Sequence, residues 1–151
     1  MIIDDFMKFL DTISVEGVSE DYWYDVGVVE VQNMLEKFSK REWDLLERLI
    51  KDKSVEWQKK LIYSFDDVGN EQEIKIIMKS INTDNSELFE ICIDTLRCLL
   101  NEKTRKLIWE KPGLLEKVRS TVIKTDSISS TIYMDFLGKV GNPLEAEEFQ
   151  R

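Results

Sequence analysis

A shift of 31 residues lays one part of this chain onto another, setting Trp43 on Ile74, Leu46 on Ile77, Ile50 on Ile81 and Glu56 on Glu87. The same shift sets Trp57 on Leu88, Leu61 on Cys92, Ile62 on Ile93 and Phe65 on Leu96. Within each copy the apolar residues recur at the spacing of one helix face, in two runs separated by a short polar turn. Such a unit cannot bury its apolar face alone and must stack on its neighbours. The repeat therefore predicts an all-α chain, a short right-handed stack of antiparallel helix pairs (an α-solenoid) with about 7 to 9 helices.

Local signals place the helices. Ile3, Phe6, Met7, Leu10 and Ile13 mark a first helix from Ile3 to Ser14 with an acidic outer face. Val15 to Asp21 reads as turns. The helical pattern resumes at Val28 or Val29, although Gly27 and the valines leave a strand as the alternative before Gln32. Ser39-Lys40-Arg41-Glu42 has the S-x-x-E form in which serine and glutamate satisfy the orphan amides of a helix start. Further helices open near Ser54, at Asn70 and after Asp84. Asn101 to Lys111 reads as a polar connection holding a short extra helix over Thr104 to Trp109. Pro112 suits the first turn of the next helix. Asp126 caps a last one carrying Ile128, Ile132, Phe136, Leu137 and Val140, which Gly141-Asn142-Pro143 stops. One domain is expected over 1–151: an acidic cap over 1–38, helix-pair repeats over 39–140 and a tail over 141–151.

Two prolines and six glycines in 151 residues disfavour a turn-rich β-fold. The apolar stretches are too short to cross a bilayer. Acids occupy the N-terminal positions where a secretory signal needs lysine or arginine, so the expected location is the cytoplasm. Cys92 and Cys98, six apart on one helix, are out of bonding geometry and read as two reduced core thiols.

Charge is informative when located. Up to Glu36 there are nine acids against Lys8 alone, whereas Lys37 to Lys139 holds 19 basic and 18 acidic residues. Nearly all of the net charge of −9 sits in the first quarter. A one-sign field of this kind speeds encounter with a basic surface and repels nucleic acid and anionic membranes.

The segment Ile77 to Leu100, read as Ile-Met-Lys-Ser-Ile-Asn-Thr-Asp-Asn-Ser-Glu-Leu-Phe-Glu-Ile-Cys-Ile-Asp-Thr-Leu-Arg-Cys-Leu-Leu, resembles the turn and second helix of a HEAT-like repeat. The resemblance covers residues 39 to 140. It departs from the usual form in lacking a proline in the first helix and in its polar connection from Asn101 to Lys111. Such repeats are binding scaffolds, which implies a protein partner without choosing it. Small size, acidic balance and a lysine-, isoleucine- and asparagine-rich style also resemble the all-helical immunity proteins of bacterial contact-dependent growth inhibition systems. That resemblance implies a non-enzymatic chain that occludes the active site of a cognate toxin, a basic nuclease. Two alternatives remain: a helical-repeat adaptor for another protein, and a HEAT-like DNA-binding or repair protein.

Catalytic chemistry finds few components. The chain has no histidine, which excludes His-based triads and His-ligated zinc, and two cysteines cannot build a structural zinc site. No phosphate-binding glycine loop or G-x-S-x-G turn occurs. Asp66, Asp67, Glu71 and Glu73 surround Gly69, but Val68 stands where a calcium loop needs an oxygen ligand. No cofactor and no metal are expected. The DNA-binding alternative rests on Lys103, Arg105, Lys106, Lys111, Lys117 and Arg119, offset by Glu102, Glu110 and Glu116.

The partner-binding candidate is Glu20-Asp21-Tyr22-Trp23-Tyr24-Asp25, three aromatics flanked by three acids. Interfaces concentrate binding energy in such aromatic anchors, while surrounding charges govern encounter. The bland alternative is that one or two of the rings pack onto the first repeat as a lid. Asp66, Asp67 and Glu71 extend the expected acidic surface, facing a protein partner rather than nucleic acid or membrane.

Overall fold

In the computed structural model of the chain, residues 2–14, 19–65 and 71–141 are described. Every regular element among them is helical. These are α1 (Ile2–Ile13), α2 (Glu20–Tyr22), a π-helical turn (Trp23–Gly27), α3 (Val28–Glu36), α4 (Lys40–Leu49), a 3-10 turn (Ile50–Asp52) and α5 (Val55–Tyr63). They are followed by α6 (Glu71–Ser80), α7 (Ser86–Cys98), α8 (Glu102–Glu110), α9 (Leu114–Lys124) and α10 (Ser127–Val140). The chain forms two compact units, residues 1–92 and 93–151, divided within α7.

The 31-residue register is written into the helix ends. Shifted by 31, α4 coincides with α6 at both ends, and α5 begins where α7 begins. The caps correspond too: Ser54 Oγ accepts the Trp57 amide at 3.2 Å, and Asn85 Oδ1 accepts the Leu88 amide at 2.9 Å. Paired positions share their burial, with Trp43 and Ile74, Leu46 and Ile77, Ile50 and Ile81, Trp57 and Leu88, and Leu61 and Cys92 all in the core. In the first unit α4 lies along α6, and Lys51 Nζ donates to the carbonyl of Asn82, its own equivalent, at 3.4 Å.

A third copy of the first helix was hidden in the polar connection. Asn101 caps α8, which begins at Glu102, 31 residues after Glu71. Thr104 and Ile108 are buried, as are Glu73 and Ile77 before them. The helix expected over Thr104 to Trp109 is present and longer, Glu102–Glu110. Register then breaks. Gly113, at φ 77°, starts α9 at Leu114, so Pro112 lies ahead of the helix rather than in its first turn.

α1 packs its Ile3, Phe6, Leu10 and Ile13 face against α3 and α5. Its entry is tied to α4 by a buried carboxylate. Glu42 completes the capping box with Ser39 and also accepts the Ile3 amide at 3.0 Å, so one side chain satisfies orphan donors of two helices. Trp57 is buried with its Nε1 donating to Asp11 at 3.0 Å, which gives that acid a structural task.

In the second unit α9 pairs with α10 and α8 packs on α9. Thr104, Ile108, Leu114, Val118, Tyr133, Phe136 and Val140 are buried in it. Asp126 caps α10 through the amides of Ile128 and Ser129. Ile128 itself is exposed, because the inward stripe of α10 is set by Tyr133, Phe136 and Val140. Both thiols are free, but only Cys92 is in the core; Cys98 is exposed at the end of α7. No helix among the described residues is long and apolar enough to cross a membrane.

Candidate functional site

The helix expected to resume at Val28 or Val29 is α3, the strand alternative before Gln32 is not taken, and the helical path already begins at Glu20, with one wide turn. Ser19 Oγ accepts the Tyr22 amide at 3.1 Å and starts α2, with Glu20 and Asp21 at the positive end of the helix dipole. The π-helical turn from Trp23 to Gly27 follows, and α3 continues from it. A π turn inserts one residue into the helical repeat and re-aims the side chains around it, a feature found frequently at functional sites.

Glycine makes the insertion work. A Cβ on Gly27 would stand 2.8 Å from Trp23 Cε3, so only a bare Cα leaves room for the indole against its own helix. Trp23 is thereby buried, with its ring 6.1 Å from that of Tyr63 on α5 and Lys60 Nζ 5.8 Å above its face. Tyr24 stands edge-on to Tyr63 with centroids 5.5 Å apart.

The three aromatics thus divide. Trp23 is an anchor inside the fold, whereas Tyr22 at 42% and Tyr24 at 52% exposure face solvent. Tyr63, Val26 and Val29 are also exposed. Isolated apolar residues on a surface are ordinary. Here they fall into two groups: Tyr24 and Tyr63 are in contact, and Tyr22, Val26 and Val29 follow one another at helical spacing. Glu20, Asp21, Asp25 and Glu30, all exposed, surround them. Tyr63 belongs to this surface, and sequence reasoning missed it because on α5 it follows the buried Leu61 and Ile62.

Of the remaining expected residues, Asp66 and Asp67 lie outside the described residues, and Glu71 is exposed at the start of α6. Among the described residues no group of histidine, cysteine and carboxylate side chains could hold a metal ion. The backbone N–H of Ser129, which Asp126 caps, lowers the pKa of that acid, and the other perturbed titrations belong to ion pairs. Burial opposes the charge on Lys59, but hydrogen bonds to Glu87 and Glu56 outweigh it and raise its pKa, while the bond from Lys59 lowers that of Glu56. In the second unit Arg97 bonds Asp135 at 2.8 Å and Asp94 at 2.6 Å, which raises its own pKa and holds Asp135 below the usual carboxylate range.

The basic series of the second unit does not form one stripe. Lys103, Lys106 and Arg119 are exposed, but Arg105 donates through Nε to the Lys139 carbonyl at 3.0 Å, and Lys111 and Lys117 are half-buried. No family model, no curated protein and no solved structure matches the chain.

Proposed function

We propose that this chain is a non-catalytic immunity protein that binds a cognate bacterial toxin, a basic nuclease, and neutralises it by covering its active site. The observation that carries this reading is the α2–π turn–α3 segment, along which Tyr22, Tyr24, Val26 and Val29 are exposed among Glu20, Asp21, Asp25 and Glu30. Exposed aromatics beside a one-sign charge field combine contact area with steering toward a basic partner. The buried Trp23 fixes the turn that presents them, and a pre-formed surface loses less conformational freedom on binding. The scaffold in this reading is a HEAT-like stack, supported by the coincidence of helix ends and caps at 31-residue spacing.

The test is survival. Cells expressing the toxin encoded beside this protein grow when the chain is co-expressed and die without it. Equal killing in both cultures, or the lack of any adjacent toxin gene, overturns the immunity reading and leaves an adaptor for some other basic protein.

A further inference from the structure

Twice in the first unit a lysine lies over an aromatic ring and is held there by a carboxylate. Lys53 Nζ stands 5.3 Å from the Trp57 ring centroid and 3.9 Å from Asp11, which also accepts the indole N–H of Trp57. Lys60 Nζ stands 5.8 Å from the Trp23 ring centroid and 3.7 Å from Glu56. The negative face of the ring attracts the cation, and the carboxylate beside it neutralises the charge.

Tyr24 has the ring and the carboxylates of this arrangement, but no cation among the described residues lies over it. Glu20 and Asp21 stand four and three residues before it, the positions that neighbour it on a helix surface. Both acids are exposed and neither is in an ion pair among the described residues, whereas Glu47, Glu56 and Glu87 of the same unit are each held by a lysine. Tyr63 meets Tyr24 with 69° between the ring planes, so one of the two rings keeps both of its faces off the other. At 52% and 45% exposure the pair is open to solvent.

The carboxylates separate the possible occupants. An apolar anchor would strip water from Glu20 and Asp21 without replacing it, which is costly. A cation would not, and residues 1–92, with 21 acidic against 11 basic side chains, draw cations toward the unit. Between the two cationic side chains, a guanidinium lies flat on a ring, is weakly hydrated and carries a fork of donors that matches a carboxylate. An ammonium is a compact, strongly hydrated point charge.

We infer that the Tyr24–Tyr63 pair, with Glu20 and Asp21 beside it, receives an arginine side chain of the partner protein. The inference rests on the reading of this segment as a contact surface for a basic protein, and it adds the kind of residue that the partner presents there.

The experiment needs no toxin. Blocked peptides of alternating glycine and arginine, and of alternating glycine and lysine, equal in length and charge, are titrated into the full-length chain while its amide chemical shifts are followed. The arginine peptide should bind about 3-fold tighter or more, with the largest shifts around Tyr24 and Tyr63. Tyr24→Leu keeps an apolar side chain and should erase the preference, leaving the two peptides with equal, weak affinity. Glu20→Gln with Asp21→Asn should weaken both peptides, most at about 0.05 M salt. All three side chains are exposed, so circular dichroism should report an unchanged helix content for both variants. Equal affinities in the natural chain, a preference that survives Tyr24→Leu, or shifts confined to other surfaces each overturn the inference. An arginine preference at Tyr24 in a chain that gives no protection against a toxin supports the site and leaves another basic protein as its partner. Protection without that preference overturns the site alone.

Discussion

Replacing Gly27 by alanine should reverse its sign of effect according to what occupies position 23. Gly27 has ordinary helical torsions, φ −58° and ψ −46°, so alanine there gains helix propensity of about 1 kcal/mol. Against this stands the 2.8 Å approach of the new Cβ to Trp23 Cε3. The indole cannot simply swing aside, since Tyr63 and Lys60 stand against its ring. Overpacking of this kind costs about 1–3 kcal/mol, so Gly27→Ala in the natural chain should be destabilising by about 1 kcal/mol net. In a Trp23→Leu background the obstructing ring carbon is gone. Ile13 Cδ1, the other near neighbour, is at an ordinary contact distance of 3.8 Å. There the same substitution should be stabilising, by up to about 1 kcal/mol, which makes the coupling between the two positions about 2 kcal/mol. Urea unfolding of the four proteins, followed by circular dichroism, measures it. Equal effects of Gly27→Ala in both backgrounds would refute the role assigned to the π turn.

Glu42→Ala should cost about 2–4 kcal/mol in thermal or urea unfolding, since it leaves amide donors at the starts of both α1 and α4 without their acceptor, while Glu42→Gln, which keeps an acceptor, should cost less. Acidification should destabilise the chain partly through Glu56 and Asp135. Their folded pKa values are depressed, so their stabilisation is present above the unfolded carboxylate pKa and is lost as pH falls through the folded one. Asp135→Asn should flatten that part of the melting temperature against pH, and an unchanged slope would show that the Arg97 pair is not coupled to folding. Against a purified basic partner, Tyr24→Ala should raise the dissociation rate, whereas Asp21→Lys with Asp25→Lys should lower the association rate most at low salt. If both rates stay unchanged in folded variants, docking occurs elsewhere.

The repeat was legible because a buried face and a cap are both sequence events. Ser54 with Trp57 and Asn85 with Leu88 announce helix starts in the residues themselves, and the apolar period survives from one copy to the next except where Gln58 stands against Phe89 and Leu49 against Ser80. α8 was harder to read for the same physical reason. Its cap, Asn101, keeps the register, but its exposed face is so densely charged that only Thr104 and Ile108 reach the core, too few for periodicity to fix the start of the helix or its kinship with the repeat. The spacing of caps was the better guide there, since Asn101 stands 62 residues, twice the repeat, beyond Ser39. Ile128 failed in the opposite direction: it fits an apolar period along α10 that the fold does not bury.

The acidic aromatic segment shows where composition stops short of geometry. Three adjacent rings cannot all face the same way on a helix, so the sequence required that they divide but not how. Two further facts decide it. Gly27 lies four residues after Trp23, the one side-chain-free position on which an indole can lie, and Lys60 and Tyr63 arrive from α5, far along the chain. The glycine was visible in the sequence as a possible break in a strand or helix, and its real use depends on a π turn that no period reveals. Tyr24 is left outside by the same geometry and gains Tyr63 as its neighbour. Anchor and contact surface are therefore coupled through one turn: a change that loosens Trp23 should also disorder the faces of Tyr22 and Tyr24. Binding losses on Trp23 substitution would then report lost preorganisation rather than a lost contact, and only the exposed tyrosines can measure the contact itself.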